Sequence, residues 1–473
     1  MGHGGAGGES RTEFIVFSAG MTQHTRLACS NAINVQISDP PCHRVIREER
    51  VRGTAENARP MCHSQLSASA HLSMMVDVVC PAAALPGVRH DLHCPGGEED
   101  GASMDPVNIH VHLYYGVDPL QFRKNENAGC LYGYHFAESD TMALSYSRDH
   151  PEGPLLRLVR RTLKSLLGFD FIHTYRNRAG LMSADVIWTH TEREYLSVAL
   201  LLLLTRRTRE PLLLAQSIWL LDIWKSLSPP KRLFYRWLLG RADVLTTHSP
   251  DNAALVQKYW GREGTVVRYG LDTRDFPLTT AGDWRPHEPL RIASIGNDRD
   301  RDWNTLITAF ENDPRYCVRI ATRRKIWRRS KASNVTVAPA HGLAAQRALY
   351  EWADVVIVSL HPNHHVSGIT VILEAVATGK PVVATATGGL EEYFSSGSIG
   401  YVPAHDPMAM REQVAFLARE PGVATEQMRR AQREFVQKDL TTRAFANQHV
   451  MLTRSLINRP IERTAEPLPH SRT

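Results

Sequence analysis

The sequence predicts an α/β protein of two Rossmann-like, doubly wound domains facing across a cleft, behind an N-terminal extension with little structure. Three observations predict it. Behind Met104, short apolar runs that stop at polar or glycine residues alternate with amphipathic segments. That alternation describes parallel strands joined by crossover helices. A Pro-, Gly- and Thr-rich linker at 277–290 divides the series in two. Length and composition agree, since 473 residues with 43% hydrophobic and 22% charged side chains allow two full cores.

Residues 1–103 stand apart. They hold five of the seven cysteines (Cys29, Cys42, Cys62, Cys80 and Cys94) among scattered Gly, Pro, His and Ser. Histidines adjoin three of them, but no pair has the C-x2-C spacing of a zinc site. Neither a signal-peptide pattern nor an apolar run long enough to span a bilayer occurs there. DPVNIHVHLYYG follows directly after Met104 and reads as a first strand. We therefore expect 1–103 to be a low-structure extension, which a start at Met104 would leave out of the natural product. The net charge of +6 is too mild to imply nucleic acid.

In the first half, Ile109–Leu113 is a strand candidate, and Tyr115-Gly116 opens a polar loop running to Ala128-Gly129. Ala184–His190 reads as a buried strand ending in polar residues, with further strands at Pro211–Ala215 and Ala242–Thr246. Ser249-Pro-Asp-Asn252 then starts a helix. The apolar run Tyr195–Leu204, followed by Arg206, Arg207 and Arg209, has ten residues. It rises about 15 Å, half a hydrocarbon core, so a buried helix is expected. Leu155–Leu167 mixes apolar and basic residues as an interfacial helix does.

The second half opens with the strand Arg291–Gly296 and the polar segment NDRDRDWNTLITAF. The densest basic run is 319–331, expected to be mainly a solvated basic helix; Arg323 and Lys325 could meet phosphate or lipid, and Trp327 could anchor at an interface. No nucleic-acid recognition motif accompanies it. Residues 355–391 are the most informative: strand, polar loop, helix, strand and glycine turn. Ile369, Ile372, Leu373 and Val376 give the helix one buried stripe, and Ser367, Thr370 and Glu374 stand opposite. Ser367 is the expected N-cap, with Gly379 and Pro381 as the stop. Free N–H groups and hydroxyls at a helix start make a phosphate seat. Glu374, roughly 10 Å further along at 1.5 Å per residue, suits the ribose of a nucleotide whose diphosphate lies at the tip. Arg430–Leu456 is expected to be helical.

The run LEAVATGKPVVATATGG resembles the donor-site segment of the retaining, two-domain glycosyltransferases of the family 4 type (GT-B fold). ADVIWTH, RADVLTTHSPDN and VVRYGLD with Phe276 resemble further segments of that family. The resemblance implies a domain for the acceptor at 104–276, a linker at 277–290, a nucleotide-sugar domain at 291–433, and a last helix and tail at 434–473 that crosses back. It implies diphosphate binding by Ser367, Gly368 and Thr370, ribose binding by Glu374, and a donor-facing turn at Gly388 and Gly389. Gly296 ends the strand before the diphosphate grip, where Arg301 stands in the place of the family lysine and Arg299 is secondary. His190 falls where the family has its cleft histidine, so His190 and Arg301 are the catalytic candidates. Four places depart from the pattern: Val366 replaces a sugar-contacting Glu, with His364 or His365 as substitutes; Asn297 replaces an Arg; Ala128-Gly129 replaces Gly-Gly; and a GxG turn is missing from 319–331.

The implied activity is transfer of a hexosyl unit from GDP- or UDP-hexose to a glycan or polyprenyl-linked acceptor, with retention. The setting implied is exopolysaccharide or other cell-surface polysaccharide synthesis. Such an enzyme is expected in the cytoplasm, peripheral to the inner face of the membrane, with no nucleic-acid partner. No cofactor or metal is expected: Asp298-Arg-Asp300 has D-x-D spacing but sits at the diphosphate grip. The alternatives are a nucleotide-sugar 2-epimerase and a non-catalytic scaffold subunit.

Overall fold

The structure, a computed structural model, describes residues 105–120, 130–205, 210–326 and 330–458. The expected extension at 1–103, Ala128-Gly129, the three arginines after Leu204, Trp327 and the tail beyond 458 lie outside the described residues.

Six strands form the first sheet: β1 (Val107–His112), β2 (Met142–Tyr146), β3 (Val186–Thr189), β4 (Leu212–Gln216), β5 (Val244–Thr247) and β6 (Gly264–Val266). Their order is β2-β1-β3-β4-β5-β6, every pair parallel. The second sheet contains β7 (Leu290–Ile295), β8 (Tyr316–Ala321), β9 (Val335–Ala338), β10 (Val355–Val358), β11 (Val382–Thr385) and β12 (Gly400–Val402). Its order is β12-β11-β10-β7-β8-β9, again parallel throughout. Central strands such as VIWT, VVIV and VVAT are buried at every position, as parallel strands covered on both faces must be. The order in the second sheet reverses between β7 and β10. Ligands of doubly wound sheets bind beyond the carboxyl ends of strands at such a reversal. The loops after β7 and β10 are therefore the ones to inspect.

The helices follow the apolar patterns with two corrections. Glu192–Thr205 buries Tyr195, Leu196, Val198, Leu201 and Leu202, and is the core helix that its length implied. Ser249 caps Pro250–Trp260, its hydroxyl accepting from Asn252 N–H at 3.3 Å. The basic run is not a helix in its described part: Arg319–Ala321 completes β8, where Val318 and Ile320 are buried by pairing with β7 and β9, and an irregular stretch follows. The expected helix over Arg430–Leu456 is two helices, Pro421–Gln437 and Thr442–Ile457. Asp439 between them has φ +44, and the Thr441 hydroxyl accepts from Ala444 N–H at 3.1 Å, starting the second helix afresh.

That last helix packs against the first domain. Phe445 and Ala446 join the core formed by Ile109, Val111 and Trp188, and Trp188 Nε1 donates to Thr453 Oγ1 at 2.9 Å. Where the returning chain passes the outgoing one, Leu271 N–H donates to Leu440 C=O at 2.9 Å and Thr442 N–H to Leu271 C=O at 3.0 Å. A Cβ on Gly270 would stand 2.1 Å from Thr441 C=O, so only glycine allows this approach.

Candidate functional site

The loops after β7 and β10 are laced together at their backbones. His361 N–H donates to Asp300 C=O at 2.8 Å and Asp302 N–H to Ser359 C=O at 3.0 Å. This fixes Arg301, whose Nε donates to Asp298 Oδ2 at 3.1 Å, both side chains being almost wholly buried. Space for the guanidinium comes from two glycines. A Cβ on Gly296 would meet Arg301 Nε at 2.2 Å, and one on Gly368 would meet Nη1 at 3.2 Å.

Gly368, not Ser367, caps the helix Ile369–Ala377, which corrects the expected start by one residue. Its φ is +85, and a Cβ there would also lie 2.4 Å from Val358 Cγ1, so a side chain is excluded twice over. No side chain caps this helix. The Ser367 hydroxyl is buried beside it without a partner, and so is Arg301 Nη1. Each buried, unanswered donor costs about 1–3 kcal/mol. Two of them stand at an uncapped helix start, at the positive end of the helix dipole, an arrangement whose chemistry suits an anion. Gly296, Arg301, Ser367 and Gly368 are thus brought together.

Glu374 lies further along the same helix and is buried. Burial pushes its carboxyl up to about 7, opposed by the hydrogen bond from Tyr350 and by the Arg301 charge. Tyr350 donates to Glu374 Oε2 at 2.5 Å. Thr370 meets Tyr269 of the first domain, whose phenol burial pushes up to about 12 against the Thr370 hydrogen bond. Gly388 and Gly389 form a left-handed turn after β11. Gly388 C=O accepts from Val366 N–H at 3.1 Å, and Gly389 faces Ser249 of the first domain closely enough that a Cβ would lie 2.9 Å from its Cβ.

The remaining candidates are placed differently. Arg299 is 40% exposed and reaches only its neighbour Asp300, at 3.4 Å. Asn297 Oδ1 accepts from Arg323 N–H at 2.7 Å, so it ties the loop after β8. Val366 is buried in the apolar core. Beside it, His365 is buried at the domain interface, Nδ1 2.7 Å from Asp222 Oδ2 and Nε2 3.6 Å from Asp300 Oδ2. Burial lowers its affinity for a proton, but Asp222, Asp300 and Asp298 outweigh that and raise it. His364 N–H donates to Asp222 Oδ1 at 2.6 Å. Nothing in WLLDIW singles out Asp222; only its place opposite the loop shows it.

His190 is buried at the end of β3. Its ring lies under Tyr132, with centroids 3.4 Å apart and planes 12° apart, and Nδ1 is 3.0 Å from the Tyr134 hydroxyl. Burial, with His248 and His449 nearby, holds the imidazole well below its ordinary pKa. The ring is therefore neutral. Tyr132 is held at φ +66, followed by Gly133 at φ +70, and it covers the histidine face.

Residues 299–420, the span that carries Arg301, the capping glycine and Glu374, match the family model described as glycosyl transferases group 1. The chain has the two-domain GT-B fold, and its second domain carries the group 1 glycosyl transferase match. No curated protein matches the sequence. Solved structures share the architecture at low identity. Sucrose-phosphate synthase from Thermosynechococcus elongatus is 17% identical with a TM-score of 0.54, covering 74% of this chain and 99% of its own. Anabaena HepE in complex with UDP and glucose is 14% identical with a TM-score of 0.53, over 73% and 99%. A UDP-forming trehalose-phosphate synthase from Burkholderia vietnamiensis is 11% identical with a TM-score of 0.55, over 74% and 99%. No helix among the described residues is long and apolar enough to cross a membrane.

Proposed function

We propose that this glycosyltransferase moves a hexosyl unit from a nucleotide sugar to an acceptor hydroxyl, with retention at the anomeric carbon. The observation that carries the reading is the helix start at Gly368, where Arg301 Nη1 and Ser367 Oγ are buried with no partner. A diphosphate answers both donors and the free N–H groups of the first helical turn. Glu374, one and a half turns on, takes the ribose. Because Arg301 is preorganised by Asp298, it meets the charge that develops on the leaving diphosphate without reorganising. The departing phosphate oxygen takes the acceptor proton, so His190 is not needed as a base. It acts through Tyr132, which it supports from beneath. The reading calls for no metal at the diphosphate, because Arg301 and the helix start supply the countercharge; Asp298 of the D-x-D triplet pairs with Arg301.

Two of the neighbours are named for UDP, which puts UDP-hexose ahead of GDP-hexose among donors. A glycan or polyprenyl-linked acceptor, as in cell-surface polysaccharide assembly, fits one surface. The helix Pro154–Leu167 leaves Leu155, Leu158 and Leu166 exposed among exposed Arg157 and Arg161. Tyr235 donates to Leu167 C=O at 2.6 Å and brings alongside it the helix Pro229–Leu239, with exposed Leu233 and Trp237. Apolar and basic groups so mixed suit the headgroup layer of an anionic membrane such as the inner face of the cytoplasmic membrane.

Calorimetry with UDP and GDP, followed by a panel of sugar nucleotides with and without acceptor, tests the reading. Saturable binding of a nucleoside diphosphate that is lost in Arg301→Ala supports it. No binding of either nucleotide would favour a scaffold subunit, and conversion of the donor sugar without acceptor would favour an epimerase. Flotation with anionic liposomes at low and high salt tests the surface; recovery in the pellet under both conditions removes it.

A further inference from the structure

Three further side chains converge at the carboxyl end of the second sheet. Asp302 ends the loop after β7 and caps the helix Trp303–Phe310, His361 follows β10, and His405 lies just beyond β12. Asp302 Oδ2 is 2.8 Å from His405 Nδ1 and 3.7 Å from His361 Nδ1. One ligand atom from each residue lies within 4.8 Å of the other two. We propose that Asp302, His361 and His405 form a binding site for a divalent transition metal of the zinc class, with the remaining coordination positions taken by water.

The ligand chemistry fits: two imidazoles and one carboxylate suit zinc and its neighbours rather than magnesium or calcium. So does the spacing. Metal–ligand bonds of 2.0–2.1 Å in a tetrahedron set ligand atoms about 3.3 Å apart, and the two measured separations fall on either side of that value. The carboxylate is already oriented, with Oδ1 accepting from Thr305 N–H at 3.0 Å and Oδ2 from Thr305 Oγ1 at 2.6 Å. These are the bonds of a helix N-cap, and they also hold the carboxylate in place as the outer partners of a metal ligand do. Access is open, because the His361 and His405 side chains are 43% and 55% exposed while that of Asp302 is 2% exposed. A plain ion pair would explain one histidine. It leaves the second, with the rings 5.1 Å apart, beside an oxygen already answered by His405 and Thr305.

The ion would act by position. Asp302 directly follows Arg301, and His361 begins the loop that leads to Gly368. Metal at this site would therefore staple the two loops that hold the anion seat, and it would contact no donor atom itself. Binding of the metal can be read without any sugar nucleotide, so failure here and failure of the transferase reading are separable.

The test uses the full chain, stripped with a chelator, titrated calorimetrically with Zn²⁺ and followed by visible absorption with Co²⁺. It compares wild type with His361→Ala, His405→Ala and the double variant. Wild type should take up one ion more than the double variant, and each single variant should bind that ion at least tenfold more weakly. The Co²⁺ difference spectrum should lack a thiolate charge-transfer band, which separates this site from cysteine binding in residues 1–103. Both histidines are partly exposed, so unfolding without metal should be unchanged; if the alanine variants misfold, His361→Gln with His405→Gln replaces them. Equal stoichiometry and affinity in wild type and a folded double variant would overturn the proposal.

Discussion

His190 and Arg301 stand at equivalent places in the two domains, beyond the carboxyl ends of central parallel strands, and are used in opposite ways. At the end of β3, His190 is covered by Tyr132, bonded to Tyr134 and held neutral. At the ends of β7 and β10, Arg301 is fixed at one nitrogen and left unanswered at another, beside an unanswered serine and an uncapped helix. A buried polar group with its partners in place maintains a structure. Arg301 and Ser367, without theirs, leave polar atoms free for a ligand.

That contrast can be broken by mutation. The largest effect expected is on stability in the first domain: His190→Ala should cost about 3–5 kcal/mol in denaturant unfolding, as truncation of a packed core ring does, with nucleoside-diphosphate affinity changed less than threefold. A variant of normal stability would show that the aromatic stack is not structural. In the second domain, Arg301→Ala should weaken UDP or GDP binding roughly tenfold to a hundredfold, the loss of one charge-assisted bond of about 1.5–3 kcal/mol. Unchanged affinity there would erase the difference between the two regions.

Glu374 sharpens the comparison through pH. Its carboxyl is raised from 4.5 to about 7 in the fold. The fold therefore favours the protonated form, so the contribution of this group to stability is fullest below about pH 4.5 and is lost as pH rises through about 7. Ribose hydroxyls prefer the ionised form as acceptor, so donor affinity should climb between pH 6 and pH 8 and level off above. Glu374→Gln should flatten both trends. His190, neutral throughout that range, should add no limb to the profile. The smallest effect is expected at Arg299→Ala, less than threefold in donor affinity, because an exposed arginine beside its own neighbour contributes little.

The sequence was most readable where local rules act alone. Apolar runs such as VVIV and VVAT have no other place than a covered parallel sheet, and the helix stripe from Ile369 to Val376 sits where its period puts it. The cap lies one residue beyond the expected one: serine is the better cap by propensity, but the cap position has φ +85 and no room for a Cβ beside Val358, which only the fold shows. The break before Thr442 was missed because an amphipathic pattern continues in phase across it. Contacts between distant segments left no local trace at all. Asp222 meets His365 across 143 residues, and Asp302, His361 and His405 have no motif spacing because three separate strand ends deliver them.

The crossing of Leu271 and Leu440 limits how the molecule can move. The only two chain passages between the domains, among the described residues, run edge to edge there and are bonded to each other. Two passages joined in this way behave as a single pivot. Any opening between the domains would then swing about that seam and would have to break the His365–Asp222 pair.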